Sequence, residues 1–358
     1  MGKQDPPIKT YADFWHWFRD HEKAFFKVLK NQGNVERDFF DKLSPKLNQL
    51  REGYWFLAGM VDGDTAELVL TADGVVKNLV FVEELVAAAT PINGWKLTAL
   101  KPALDIKDVN IAMGDLAFNK NNLSFYANND PRYPDEIDIT VVHADYGENN
   151  KEAIINGTYI FIDNYLGELD AVTSIDNMQV VGREQADQEL IPIEKLKDFV
   201  IWRQKEFIEK YEGTRYNTEN DDYHTLEATL EDGNPLLAIV NAALLAWDAK
   251  ASHPWILHVE INYQDNGQGM PDDKTYGFMN AFEDQLMLDL KDADGYLNIG
   301  RQTGGNVREV YFACKEFRLP SKVLDKFQAE YRDRLAIDYD LYKDKYWQSF
   351  NRFKPNIH

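Results

Sequence analysis

Between Trp255 and Tyr339 the chain switches repeatedly between two hydrophobic periods, and that rhythm leaves few folds open to it. Trp255, Leu257, Val259 and Ile261 alternate with His258, Glu260 and Asn262, the period of a strand with one buried face. Pro271, Asp272 and Asp273 open a helix, with negative charge at the positive end of its dipole. Met279, Phe282, Leu286 and Leu290 follow at helical spacing. Tyr296 to Thr303 and Val307 to Cys314 flank Gly304-Gly305-Asn306, residues that accept positive φ, so this stretch predicts a hairpin. Ser321 is the expected N-cap of a helix carrying Val323, Leu324, Phe327 and Tyr331, and Leu335, Ile337 and Tyr339 supply a last strand. The order strand–helix–strand–strand–helix–strand predicts a ferredoxin-like split βαβ unit, an antiparallel sheet with two helices on one face.

A chain of 358 residues outgrows one ordinary core, so two α+β domains are expected. Residues 1–190 read as an α+β sheet domain with N-terminal helices. Amphipathic stripes run through Phe14, Phe18, Phe25 and Leu29 and through Phe39, Leu43 and Leu47, and Ile137 to Val142 is its strongest strand. Residues 191–221 read as a connecting helix and linker, closed by Gly213 as a C-cap. Residues 222–358 read as the ferredoxin-like domain with an aromatic C-terminal tail. A hairpin around Asp232-Gly233-Asn234 is expected to extend its sheet at one edge. The tail, with Tyr342, Tyr346, Trp347, Phe350 and Phe353, is expected to strap onto its own domain, because so many exposed rings would aggregate.

Charge narrows the partners. Sixty Asp and Glu against thirty-nine Lys and Arg leave a formal net charge of −21. Such a surface repels phosphate backbones and anionic lipid, which argues against nucleic-acid and membrane binding and favours a basic protein partner. No run approaches the roughly 20 apolar residues of a membrane span, and Met1 to Thr10 is polar rather than a secretory leader. The one cysteine, Cys314, falls on the apolar side of its strand, a packing position. A cytoplasmic, reducing setting is the expectation.

Patterns that carry chemistry are sparse. The seven histidines show no metal-ligand spacing, no acidic loop has calcium-site periodicity, and no glycine-rich turn opens a helix to cradle phosphate, so no metal and no cofactor are expected. Gly300-Arg301-Gln302-Thr303-Gly304-Gly305 imitates a phosphate loop but runs along a strand. With Leu257, Val259 and Ile261 turned toward the helices, the other sheet face is expected to present His258, Glu260, Asn298, Gln302, Glu309, Tyr311 and Asp338. The candidate partner or ligand surface comprises His258, Glu260, Asn298, Arg301, Gln302, Arg308, Glu309, Tyr311, Asp344 and Trp347. These features fit a non-enzymatic, protein-binding regulator or inhibitor of a basic partner. The alternative is a small-molecule enzyme or ligand-binding protein with an interdomain pocket, using His143 with Asp145 as base and orienting acid, and Arg301, Arg308 and Tyr311.

A family resemblance rests on Asn234-Pro235-Leu236-Leu237 with Val240-Asn241, Asn266 to Pro271, Gly300 to Thr303 through Arg308-Glu309-Val310-Tyr311, and Asp344 with Trp347. Together these resemble domain-of-unknown-function family 695 over about Thr225 to Phe350. The first half, with Glu67 to Gly74, Trp95 to Pro102 and Leu166-Gly167-Glu168, is similar to uncharacterised bacterial proteins. The family has no established activity, so the resemblance implies no catalytic residue. The element order of the second domain is also similar to the bacterial regulators that inhibit ribonuclease E, which implies an acidic protein restraining a basic one.

Overall fold

A computed structural model of the chain describes residues 6–264, 267 and 269–353; the start of the Met1–Thr10 segment, Asn266 and His358 lie outside the described residues. The chain is mixed α+β and forms two compact units. One is Met1–Asn128 with Ile137–Val200, the other Asn129–Glu136 with Ile201–His358.

The first unit begins with α1 (Tyr11–Lys30) and α2 (Asp41–Leu50). Thr10 and Asp13 cap α1 reciprocally, each side chain taking the other's backbone N–H. The stripe of α1 is buried as its spacing predicts, with Phe25 stacked on Phe39 at 4.3 Å and Phe18 edge-on to Trp95 at 5.1 Å. Strands β1 (Trp55–Met60), β2 (Ala66–Thr71) and β3 (Trp95–Ala99) form a sheet in that order, with α3 (Val76–Ala87) crossing between the parallel pair β2 and β3. A short hairpin, β4 (Ile111–Met113) and β5 (Leu116–Phe118), leads to β6 (Leu123–Asn128) and β7 (Asp138–His143). After α4 (Lys151–Leu166) and α5 (Glu168–Ser174), β8 (Asn177–Gly182) returns parallel to β7, and β9 (Ile191–Pro192) completes the order β8-β7-β6-β9. Helix α6 (Leu196–Tyr211) follows, and the division between units falls inside it, after Val200.

The second unit contains β10 (Tyr223–Thr229), β11 (Pro235–Asn241), the short α7 (Ala242–Leu245), β12 (Trp255–Asn262), α8 (Asp273–Asp289), β13 (Tyr296–Gly304), β14 (Val307–Cys314), α9 (Arg318–Tyr331) and β15 (Ala336–Lys343). The strands lie in the order β10-β11-β13-β14-β12-β15, antiparallel throughout. The last four are the ferredoxin-like sheet, and the β10–β11 hairpin extends it beyond β13. Leu257, Val259 and Ile261 are fully buried, as are Met279, Phe282 and Leu286 of α8 and Leu324 and Phe327 of α9. Phe282 and Phe327 meet edge to face at 5.7 Å. Each such side chain removed from water stabilises the fold by about 1.5–3 kcal/mol. The two-residue turn between β13 and β14 has φ of +60° at Gly305 and +69° at Asn306, the paired positive values the hairpin required.

Two local expectations are corrected. Ser321 is buried inside α9, its hydroxyl donating to the Phe317 carbonyl at 2.8 Å. The helix starts at Arg318, because Pro320 fits a first turn and the Glu316 carboxylate receives the backbone N–H groups of Arg318 and Leu319 at 2.6 and 3.0 Å. Asn298 pairs with Phe312 and therefore lies on the helix-bearing face. A bulge between Asn298 and Gly300 inserts a residue, so the strict alternation that joined Asn298 to Gln302 fails there. Gly300 permits it: φ is +143°, and a Cβ would sit 2.3 Å from the Ile239 carbonyl oxygen.

Candidate functional site

The face of the six-stranded sheet opposite α8 and α9 divides into a covered part and an open part. Ile256, Leu297, Ile299 and Ala313 form a second apolar layer with Val240 and α7. The C-terminal turn, Gln348–Phe353, lies over it. Trp347 is 1% exposed and donates its indole N–H to the His253 carbonyl at 2.9 Å. Phe350 meets the Tyr311 ring edge-on at 5.2 Å, and Arg352 donates to the Tyr311 hydroxyl at 2.7 Å. Asp344 shapes this turn by accepting the N–H groups of Gln348 and Ser349. The tail is thus a strap on its own unit, and Tyr311, Trp347 and Asp344 are part of the packing.

Register places the open part. Asp338, Glu260, Glu309 and Gln302 stand opposite one another on β15, β12, β14 and β13, and the neighbouring row holds Asp340, His258 and Tyr311. Three carboxylates thus share one cross-strand row, where like charges opposite one another call for compensation. His258 Nε2 lies 2.8 Å from Glu309 Oε1 and 3.7 Å from Glu260 Oε1, while Gln302 donates to the other Glu309 oxygen, Oε2. The His258 ring stacks on Tyr311 at 5.1 Å. Burial alone would raise the Glu309 carboxyl, but the bonds from His258 and Gln302 hold it below its ordinary range. The Tyr311 hydroxyl is pushed upward, first by burial and then by the Glu309 charge.

Arg301 and Arg308 sit on the opposite, helix-bearing face, one strand position away from Gln302 and Glu309. Arg308 is 1% exposed and bonds Glu283 Oε1 at 2.8 Å, Asn280 at 2.9 Å and Thr303 at 3.0 Å, with the Tyr276 ring 4.6 Å away. Arg301 takes the other Glu283 oxygen at 2.6 Å. Glu283 thereby compensates two guanidinium groups where an unpaired buried charge would be costly. These arginines do not converge with Tyr311. Asp340 and Glu283 were missed by sequence reasoning. Asp340 continues the period-two series from Asp338, and Glu283 interrupts the apolar stripe of α8, so both carried a signal.

In the other unit, His143 is buried, with Nε2 3.0 Å from the Ala117 carbonyl and Nδ1 accepting the backbone N–H of Asp145 at 3.1 Å. Asp145 therefore engages the ring through its backbone rather than its carboxylate, and both ring nitrogens have structural tasks. A groove of about 500 Å³ is lined by Tyr159, Ile160, Val172, Ile175 and Met178 beside Lys101, which bridges Asp73 and Asp163 at 2.9 and 3.0 Å. Burial raises the Asp163 carboxyl in spite of that lysine. Next to it, the buried Glu168 accepts from Thr71 Oγ1 at 2.5 Å and from the N–H groups of Ala72, Gly74 and Lys101 at 3.0–3.1 Å. Cys314 is fully buried and its thiol is pushed well up by that burial, which makes it a poor nucleophile.

The second unit is a ferredoxin-like domain with an added hairpin, a self-sealing tail and an acidic strip on the face opposite α8 and α9. Its residues 225–353 match the model of a family of unknown function (DUF695). No curated protein and no solved structure matches the chain. Among the described residues, no helix is long and apolar enough to cross a membrane.

Proposed function

We propose that the chain acts by binding, as a regulator or inhibitor that docks a basic segment of another protein onto the open strip of Asp338, Asp340, Glu260 and Glu309. The observation that carries this reading is the cross-strand alignment of carboxylates on neighbouring strands, a concentration of negative charge that complements a cationic segment. The net charge of −21 supports it by steering positively charged partners toward the molecule and turning nucleic acids away. The buried, raised Cys314 and the locked His143 fit a protein that binds rather than catalyses, and a lone buried thiol fits a reducing cytoplasmic setting. The test is affinity capture with the wild-type chain and with the double substitution Asp338→Lys, Asp340→Lys, at low and high salt. The expected result is a basic protein retained by the wild type, lost at high salt and lost on charge reversal. Capture that is indifferent to both changes would refute the reading.

A further inference from the structure

We infer that His258, Glu260 and Glu309 form a binding site for a divalent transition-metal ion of the zinc type, held by His258 Nε2 and one oxygen from each glutamate. One ligand atom from each residue lies within 4.8 Å of the others. Zinc bonds of about 2.0–2.2 Å to nitrogen and oxygen set neighbouring ligand atoms roughly 3.3–3.5 Å apart in a tetrahedron. The observed separations from Nε2, 2.8 Å to Glu309 and 3.7 Å to Glu260, lie on either side of that spacing. Small side-chain rotations therefore admit the ion.

The scaffold favours such a site. His258 and Glu260 project from one face of β12, and Glu309 projects from the adjacent β14, both strands paired on each side within the sheet. The His258 ring is steadied by the Tyr311 face, and Gln302 holds the Glu309 oxygen that faces away from His258. Outer partners of this kind orient metal ligands and sharpen affinity. One imidazole nitrogen with two carboxylates is a donor set suited to zinc, manganese, iron or cobalt rather than to magnesium. The ion would also offset the repulsion along the Asp338–Glu260–Glu309 row. With the Glu260 side chain 45% exposed, the outer side stays open to water or to a ligand atom from a partner. The site shares Glu260 and Glu309 with the docking strip, but its donor geometry carries the inference without that reading.

The experiment titrates the full chain with Zn²⁺ by calorimetry and with Co²⁺ by visible absorption, which reports tetrahedral coordination. Wild type is expected to bind one ion with the Co²⁺ signature. His258→Gln and Glu309→Gln are expected to abolish that signature, and Gln302→Leu to weaken binding roughly ten- to a hundredfold. Circular dichroism checks that each variant is folded. If one is not, the partly exposed Glu260→Gln serves in its place. Absence of stoichiometric binding, or equal binding by folded ligand variants, would overturn the site and assign any uptake to other histidines such as His16 and His224. Asp340→Lys separates the two readings, because it changes docking charge while leaving all three ligands in place.

Discussion

His253 shows how one buried side chain sets a pH limit on the second unit. It is 1% exposed, and burial, then the charges of Lys315 and Arg215, lower its pKa from 6.5 to about 4. A base whose folded pKa lies below its unfolded value binds fewer protons when folded. Its contribution is therefore complete above pH 6.5 and is lost as the pH falls toward 4. Denaturant unfolding at pH 7 and pH 4.5 should show wild type losing about 2–3 kcal/mol more than His253→Gln over that interval. A parallel pH dependence of the two proteins would contradict this. Residues of this kind were poorly legible in sequence. Glu168 has no local signal of its role, because its donors Thr71, Ala72, Gly74 and Lys101 lie 67 to 97 positions away. Distant pairing leaves no local period to read.

At the scale of elements, the periodicity of the second half transferred directly into structure. Six elements and their order followed from alternation, helical spacing and turn chemistry, because each is a local steric and burial preference. The strap was legible too, since aromatic density demands cover. Two features escaped. The Gly300 bulge reversed the facing of Asn298, because an inserted residue cannot be told from a regular one by period alone. The start of α9 was hidden because Glu316, two positions ahead of the helix, caps it in place of Ser321. The strap itself makes a quantitative prediction. Trp347→Ala removes a fully buried ring and its bond to His253, and should cost about 3–5 kcal/mol in chemical denaturation. It should also increase binding of an apolar dye such as ANS by uncovering Ile256, Leu297 and Tyr311. An unchanged midpoint and no dye binding would mean that the tail is not seated as described.

For the whole molecule, the dominant quantity is the charge of −21 on 358 residues. Self-repulsion of that size opposes compaction, and added salt screens it over a Debye length of about 10 Å at 0.1 M. The melting temperature should therefore rise as sodium chloride increases from a few millimolar to a few hundred, whereas binding of a basic partner should weaken over the same range. Opposite salt responses of folding and docking would be the signature of surface carboxylates serving both. A melting temperature that falls with salt would show that surface ion pairs, rather than repulsion, dominate. Composition made the sign of this effect readable, and alternation put Glu260, Glu309 and Asp338 on one sheet face, but the exact pairing within that face was not legible. That depended on the register of β15 against β12, which aligns Asp338 with Glu260.

The strap follows β15 in the chain, so its rings leave the ribosome after every strand of the sheet they cover. Until Trp347, Phe350 and Phe353 emerge, a nascent chain carries Ile256, Leu297 and Tyr311 uncovered on a finished sheet. Interrupted translation between β15 and Trp347 would release a product with this apolar layer still uncovered. Chaperone engagement on stalled chains is where that difference would be seen.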